Sequence, residues 1–323
     1  MTNWRPSSGP DAAMRRAAIL RRLREYFDST ALLEVDTPAL SPAAVSDVHI
    51  ESLEVKSNLS SKPLYLHTSP EFCMKRLLAA GYPDIYSIAR VFRDGEVGRH
   101  HQPEFTIVEW YRLGFELLDI INDALQAIAV ALNNPQLAND VVIVNYRDAF
   151  LDICELDPGN SSIEALADVA EADDPLRATL GNERSDWLDL ILTMKILPTF
   201  AANKLTVIQH YPIAQAALAR ECPGDASVAD RFEVFMGTME LANGYVELSD
   251  GEIQTDRIAA DQANRENRGL QRRPIDDKLI TALNSAFPAC AGVAMGLERL
   301  QMVQDNTDDI SDVITFAFEV SND

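Results

Sequence analysis

Segments of strand-like alternation lie between helices at the start, middle and end of this chain, and that mixture constrains the fold more than any other feature. Residues 15–27 carry Ile19, Leu20, Leu23 and Phe27 on one helical face and arginines elsewhere. Residues 31–38 read as a short strand stopped by proline, and alternation returns at 48–55 and 64–67. Ser69-Pro70-Glu71 has the form of a helix start, with serine at the cap, proline in the first turn and a glutamate favoured by the helix dipole. That helix is predicted to run through Met74, Leu77 and Leu78 to Gly81. Strands at 86–92 and 103–112 flank a polar loop at 93–102, and a long helix follows at 117–132. Further strands are predicted at 205–210 and 231–248, helices at 253–269 and 275–286, and a strand running into a helix at 292–302. Long alternation is the pattern of antiparallel pairing, so the fold class is α+β rather than a βαβ array.

Residues 133–203 differ in character. Between 151 and 190 there are eleven acidic residues and two basic ones, in a pattern of short helices. We read this as a small helical insertion between two halves of one sheet; its acidity suits a solvated face or, alternatively, an acidic docking surface. The 323 residues, 47% hydrophobic, can bury one large core carrying such an insertion, so a single domain spanning 1–323 is expected. Apolar runs are all short of the roughly 20 residues that span a bilayer, and the first ten residues lack the charge and hydropathy of a secretory signal. A soluble, cytoplasmic protein with no membrane partner is expected.

With 28 Lys and Arg against 50 Asp and Glu, the net charge is −22. Such a surface repels a polyanion over a Debye length of about 8 to 10 Å, which argues against broad nucleic-acid binding but leaves room for a local phosphate site. Cys73, Cys154, Cys222 and Cys290 form no CxxC pair, so a zinc ribbon or a thioredoxin-type site is not expected and each reads as a reduced thiol. Neither GxxxxGK[ST] nor a strand-linked GxGxxG occurs, so a nucleotide must be held another way.

Three windows carry chemistry. Residues 71–112 hold six basic and six acidic side chains, a neutral stretch in an acidic chain. Arg93 closing a strand, a loop with Arg99, His100 and His101, and a returning strand would place fixed and mobile donors around a polyphosphate. An ordinary hairpin laced with ion pairs is the alternative. Glu233, Glu240 and Glu247 recur at seven-residue intervals, so on one strand they share a face only if a turn or bulge intervenes; Gly237 and Asn243-Gly244 offer such breaks. Neighbouring carboxylates invite Mg²⁺ or a substrate ammonium, unless the three are unrelated surface residues. In Gly292-Val-Ala-Met-Gly-Leu-Glu-Arg-Leu300, small residues let a planar ring approach the backbone and Arg299 emerges where the helix begins.

In this order the windows resemble class II aminoacyl-tRNA synthetases. Leu33-Glu-Val-Asp-Thr-Pro38 is similar to motif 1 (near 15–42), 86–112 to motif 2 and 292–303 to motif 3. Thr68-Ser-Pro-Glu71, Glu240-Leu-Ala-Asn-Gly-Tyr-Val-Glu247 and the His-x-Pro-Glu-Phe of 101–105 look like the lysyl-tRNA synthetase subgroup. The likeness runs from about residue 15 to 318. It implies an antiparallel sheet flanked by helices, a homodimer, and ATP and Mg²⁺ as cofactors. The motif 1 proline at residue 38 leaves no room for an N-terminal anticodon-binding OB-fold, and the acidic charge fits poorly with gripping tRNA. A compact core of this kind resembles the elongation factor P–lysine ligase family, which activates (R)-β-lysine and passes it to a lysine of elongation factor P. The other readings are a non-catalytic binding or regulatory module, and an enzyme charging tRNA or a free amine.

The resemblance implies residue roles. Arg93 would bind the amino-acid carboxylate and α-phosphate, and Arg299 the γ-phosphate. Glu233 and Glu240 would coordinate Mg²⁺. Tyr111 and Glu247 would receive the distal ammonium with Glu109 close by, and Ser69, Pro70 and Glu71 would lie against the near amino group and carboxylate. Leu241 and Gly296 would line the adenosine pocket, with Asp94, Gly95, Gln102 and Glu240 also on the ATP side. Lysyl-tRNA synthetases carry glycine where this chain has Ala294; the methyl would crowd an α-amino group and favour β-lysine. The chain departs from the family pattern in having Arg93-Asp94-Gly95 for Arg-Asn-Glu, Gln102 for asparagine and Glu298 for the motif 3 aspartate.

Overall fold

A computed structural model describes residues 4–318. In chain order the helices are α1 (Pro10–Ser29), α2 (Glu71–Ala79), α3 (Leu117–Ala131), α4 (Tyr146–Cys154), α5 (Ile163–Val169), α6 (Asp174–Leu180), α7 (Arg184–Ile191), α8 (Gly251–Asn267), α9 (Asp277–Ala286) and α10 (Leu297–Asp305). The strands are β1 (Leu33–Glu34), β2 (Leu40–Ser41), β3 (Glu54–Val55), β4 (Leu64–Leu66), β5 (Ile85–Phe92), β6 (Glu104–Leu113), β7 (Val141–Asn145), β8 (Leu205–Pro212), β9 (Glu221–Cys222), β10 (Asp225–Met236), β11 (Met239–Val246) and β12 (Cys290–Gly296). Among the described residues no helix is long and apolar enough to cross a membrane. The described residues divide into two compact units, one built from 4–115, 130–133 and 248–318, the other from 116–129 and 134–247.

In the first unit the strands run β1-β5-β6-β12, antiparallel except for the β1–β5 pair, beside a small β2-β4-β3 sheet. The arginine-bearing α1 buries Ile19, Leu23 and Phe27 completely, and Phe27 stacks on Tyr86 with ring centroids 4.4 Å apart and lies 5.4 Å from Trp110. Tyr86 and Trp110 are register partners, so this is the face of β5 and β6 that α1 covers. By alternation the opposite face carries Ser87, Glu109 and Tyr111, and β12 adds Gly292 and Ala294 beside them.

The second unit orders its strands β11-β10-β8-β7, with β9 on β10. Its helices α4, α5 and α7 close over Tyr146, Phe150, Leu166, Trp187 and Ile191, packed with Ile208, Tyr211 and Phe235 from the strands. The short helices expected at 133–203 are there, but the segment also supplies β7, which pairs in parallel with β8. Residues 231–248 form no single strand: Gly237, at φ 57°, turns the chain, and β10 and β11 make an antiparallel hairpin. The strand read at 31–38 is only Leu33–Glu34, and that at 48–55 only Glu54–Val55. Asp47 Oδ1 accepts the His49 N–H at 2.7 Å, an Asx turn that takes the backbone out of a ladder.

Candidate active site

In the first unit the chemistry gathers around Glu109, at the middle of β6 and 2% exposed. Ser69 Oγ donates to its Oε2 at 2.6 Å and Tyr111 Oη to its Oε1 at 2.7 Å. Ser69 stands one residue before the cap, which is Pro70, and its Oγ also accepts the Glu71 N–H at 3.0 Å. One turn into α2, the buried Lys75 donates to Glu71 Oε1 at 2.7 Å. Burial, then the nearby charge of Glu71, pushes the Glu109 carboxyl up to about 7, against the hydrogen bonds from Ser69 and Tyr111. Ala294 is the register partner of Glu109 and Gly292 that of Tyr111, so a buried acid lies beside one methyl and one bare backbone. Two acids against one lysine leave this cluster suited to a further ammonium group.

Arg93 leaves the end of β5, its N–H bonded to Pro103 O at 2.9 Å. Its guanidinium lies 5.0 Å from the Phe105 ring centroid and 3.5 Å from Glu96, and its buried Nε has no hydrogen-bond partner among the described residues. An anion there would find an unsatisfied donor held over an aromatic face. Arg299, in the first turn of α10, lies 3.0 Å from His101 Nε2, and a Cβ on Gly296 would meet its side chain at 3.7 Å.

In the second unit, Glu233 and Glu240 fall on opposite strands of the β10–β11 hairpin. A register shift pairs Val234 with Ala242 but Phe235 with Glu240, leaving Leu241 as the extra, buried residue. The bulge puts Glu240 on the face of Arg231 and Glu233. Tyr211 Oη donates to Glu233 Oε2 at 2.8 Å and Arg231 Nη2 to its Oε1 at 2.6 Å, while the Arg231 guanidinium lies 4.6 Å from the Tyr211 ring centroid. Burial raises the Glu233 carboxyl to about 7; Arg231 opposes that and the charge of Glu240 adds to it. Each Glu233 oxygen retains acceptor capacity, and two repelling carboxylates make an oxygen donor set that suits Mg²⁺. Glu247 follows β11, is 4% exposed and bridges backbone to backbone with Ala219. Neither Lys75 nor Arg231 is singled out by sequence; the available signals are Glu71 and Lys75 four apart on a helix, and Arg231 and Glu233 two apart on a strand, each pair on one face.

Residues 4–319 match the family of class II tRNA synthetases (D, K and N). The chain belongs to that family. It is 38% identical, over 99% of its own length and 98% of theirs, to elongation factor P–(R)-β-lysine ligases of Yersinia pestis (strain Pestoides F) and of Yersinia pseudotuberculosis serotype O:3 (strain YPIII).

Three places at which this class II chain is expected from sequence to differ from its relatives have structural partners. Gln102 is buried and its Oε1 accepts the Phe318 N–H at 2.7 Å, tying the loop to the C-terminal segment. Glu298, 2% exposed, takes the Thr106 N–H on Oε2 at 2.9 Å and pairs Oε1 with Arg16 at 2.9 Å, so its longer arm joins α10 to β6 and α1. Gly95 sits at φ 77°, and the preceding Asp94 N–H bonds to Glu51 O at 2.8 Å. The Glu51 carboxylate is held by Arg265 and Arg273, which anchors the foot of the loop.

Proposed function

We propose that the chain is an ATP-dependent ligase that activates (R)-β-lysine, or lysine, as an aminoacyl-adenylate and transfers it to the ε-amino group of a lysine on elongation factor P. The observation that carries this reading is the Glu109 cluster: buried acids on a sheet face whose neighbouring strand offers only Gly292 and Ala294, in a chain alike end to end to ligases of that name.

β-Lysine carries its carboxylate at one end, an ammonium on the β carbon and a second ammonium at the far end, so it needs a cation for the carboxylate end and acids beside the two amino groups. In the first unit Ser69, Pro70 and Glu71 lie against the near amino group, Tyr111 takes the distal one with Glu109 beside it, and Arg93 takes the carboxylate and α-phosphate. Gly296 lines the adenosine, and Arg299 holds the γ-phosphate so that pyrophosphate leaves in line. A carboxylate oxygen attacking the α-phosphorus brings two anions together, and the arginines stabilise the charge that develops. Mg²⁺, held by Glu233 and Glu240, would supply further neutralisation of the phosphates. The acceptor amine, as the free base, then attacks the carbonyl carbon and AMP leaves. A cytoplasmic homodimer that does not hold tRNA stably completes the reading.

ATP–pyrophosphate exchange tests it. Exchange should depend on (R)-β-lysine more than on α-lysine, and Ala294→Gly should move the kcat/KM ratio toward α-lysine by about tenfold or more, the scale of one methyl in a pocket. An unchanged ratio removes Ala294 from the specificity account, and no exchange with either isomer favours a binding module.

A further inference from the structure

We propose that His210, Cys222 and Asp230 form a Zn²⁺-class metal site in the second unit, separate in its ligands from the Glu233–Glu240 pair. The three residues come from the adjacent strands β8, β9 and β10, and one ligand atom from each lies within 4.8 Å of the other two. Nitrogen, sulfur and oxygen together are the donor set of zinc rather than of magnesium.

The surrounding residues orient each donor as metal ligands are oriented. Asn145 Nδ2 donates to Asp148 at 2.8 Å, which turns its Oδ1 toward Gln209 Nε2 at 3.0 Å and His210 Nδ1 at 3.1 Å. With Oδ1 as acceptor, His210 Nδ1–H is the donor, and Nε2 is directed at Asp230 Oδ1, 3.8 Å away. The other oxygen, Asp230 Oδ2, is taken by Arg220 Nε at 2.8 Å, and Asp230 is 3% exposed. An ion bonded to both Nε2 and Oδ1 would fit their separation.

The backbone is irregular at the same place. His210 has φ 58°, and the register of β10 shifts against β8 between Ala229 and Phe232 and against β9 between Asp225 and Ala229. Those irregularities bring three side chains of neighbouring strands to one point. Zinc takes cysteine as the thiolate, so binding would release the thiol proton to solvent, one per ion bound, with water in the fourth position. Arg220 N–H bonds to Val246 O at 2.9 Å and Ala219 bridges Glu247. An ion at the cluster would therefore fasten the segment on which the Glu247 backbone rests.

The test is titration of chelator-treated, full-length protein with Co²⁺. One equivalent should bind, with a thiolate-to-cobalt charge-transfer band in the near ultraviolet; Zn²⁺ should abolish the band by displacement. Cys222→Ser should lose the band, and so should His210→Asn, chosen because asparagine tolerates a positive φ. Asn145→Ala should keep the band at about 10- to 100-fold weaker affinity. Near-ultraviolet circular dichroism of each variant checks that it is folded, and Zn²⁺ should raise the thermal midpoint of the parent but not of Cys222→Ser. A spectrum of hydrated cobalt only, or a band that survives Cys222→Ser, overturns the site.

Discussion

Glu109 shows how much a single residue's meaning depends on its surroundings. Sequence placed it beside the pocket; the fold buries it next to Glu71 and lifts its carboxyl to about 7. A carboxyl raised above its unfolded value binds more protons in the native state. Its stabilisation is complete below the ordinary carboxylate range and is lost as pH rises through about 7. Glu233 behaves alike. His67, lowered by burial, has the opposite sign below its ordinary value, and the carboxylates held low by arginines, such as Glu34, act at more acid pH. Comparing variants isolates Glu109. Between pH 5 and 8 the ligand-free parent should lose more unfolding free energy than Glu109→Gln, with a difference of up to roughly 1.4 kcal/mol per pH unit. Equal pH dependence in urea denaturation contradicts the shift. Lys75 and Arg16 do not stand out in the sequence because a helical lysine or arginine ordinarily reads as surface; the structure buries Lys75 beside Glu71, and Arg16, partly buried, pairs with Glu298 and donates to Thr106.

Among elements, the long ones were legible and the punctuated ones were not. The apolar spacing of α1 and α3 and the alternation of β5 and β6 each extend over enough residues to fix their period. The alternation over 231–248 continues across a turn of only two residues, Gly237 and Thr238, so the sequence offers Gly237 as one of two possible breaks and the structure places the turn there. β7 was missed because its partner β8 is some sixty residues away, and a short apolar run does not declare its pairing. Gly237 has φ 57°, and a Cβ there would sit 3.3 Å from Ala202 Cα. Gly237→Ala should therefore destabilise by about 1 to 3 kcal/mol, seen as a lower denaturant midpoint at unchanged m-value. An unchanged midpoint would mean that the turn adapts at no cost.

At the scale of the molecule, the ordered motifs made the family legible while composition did not: a net charge of −22 says what the surface repels, not what the chain binds. The division into two compact units was not legible, because unit 2 joins the acidic helices to strands that precede and follow them in sequence. Whole-chain likeness to elongation factor P–(R)-β-lysine ligases points to a protein acceptor. The direct measurement is the mass of purified elongation factor P after incubation with the protein, Mg-ATP and each lysine isomer. The account predicts an ATP-dependent gain of one lysyl unit on a single lysine, greatest with (R)-β-lysine. Unmodified elongation factor P, with label appearing instead on tRNA or a free amine, would contradict it.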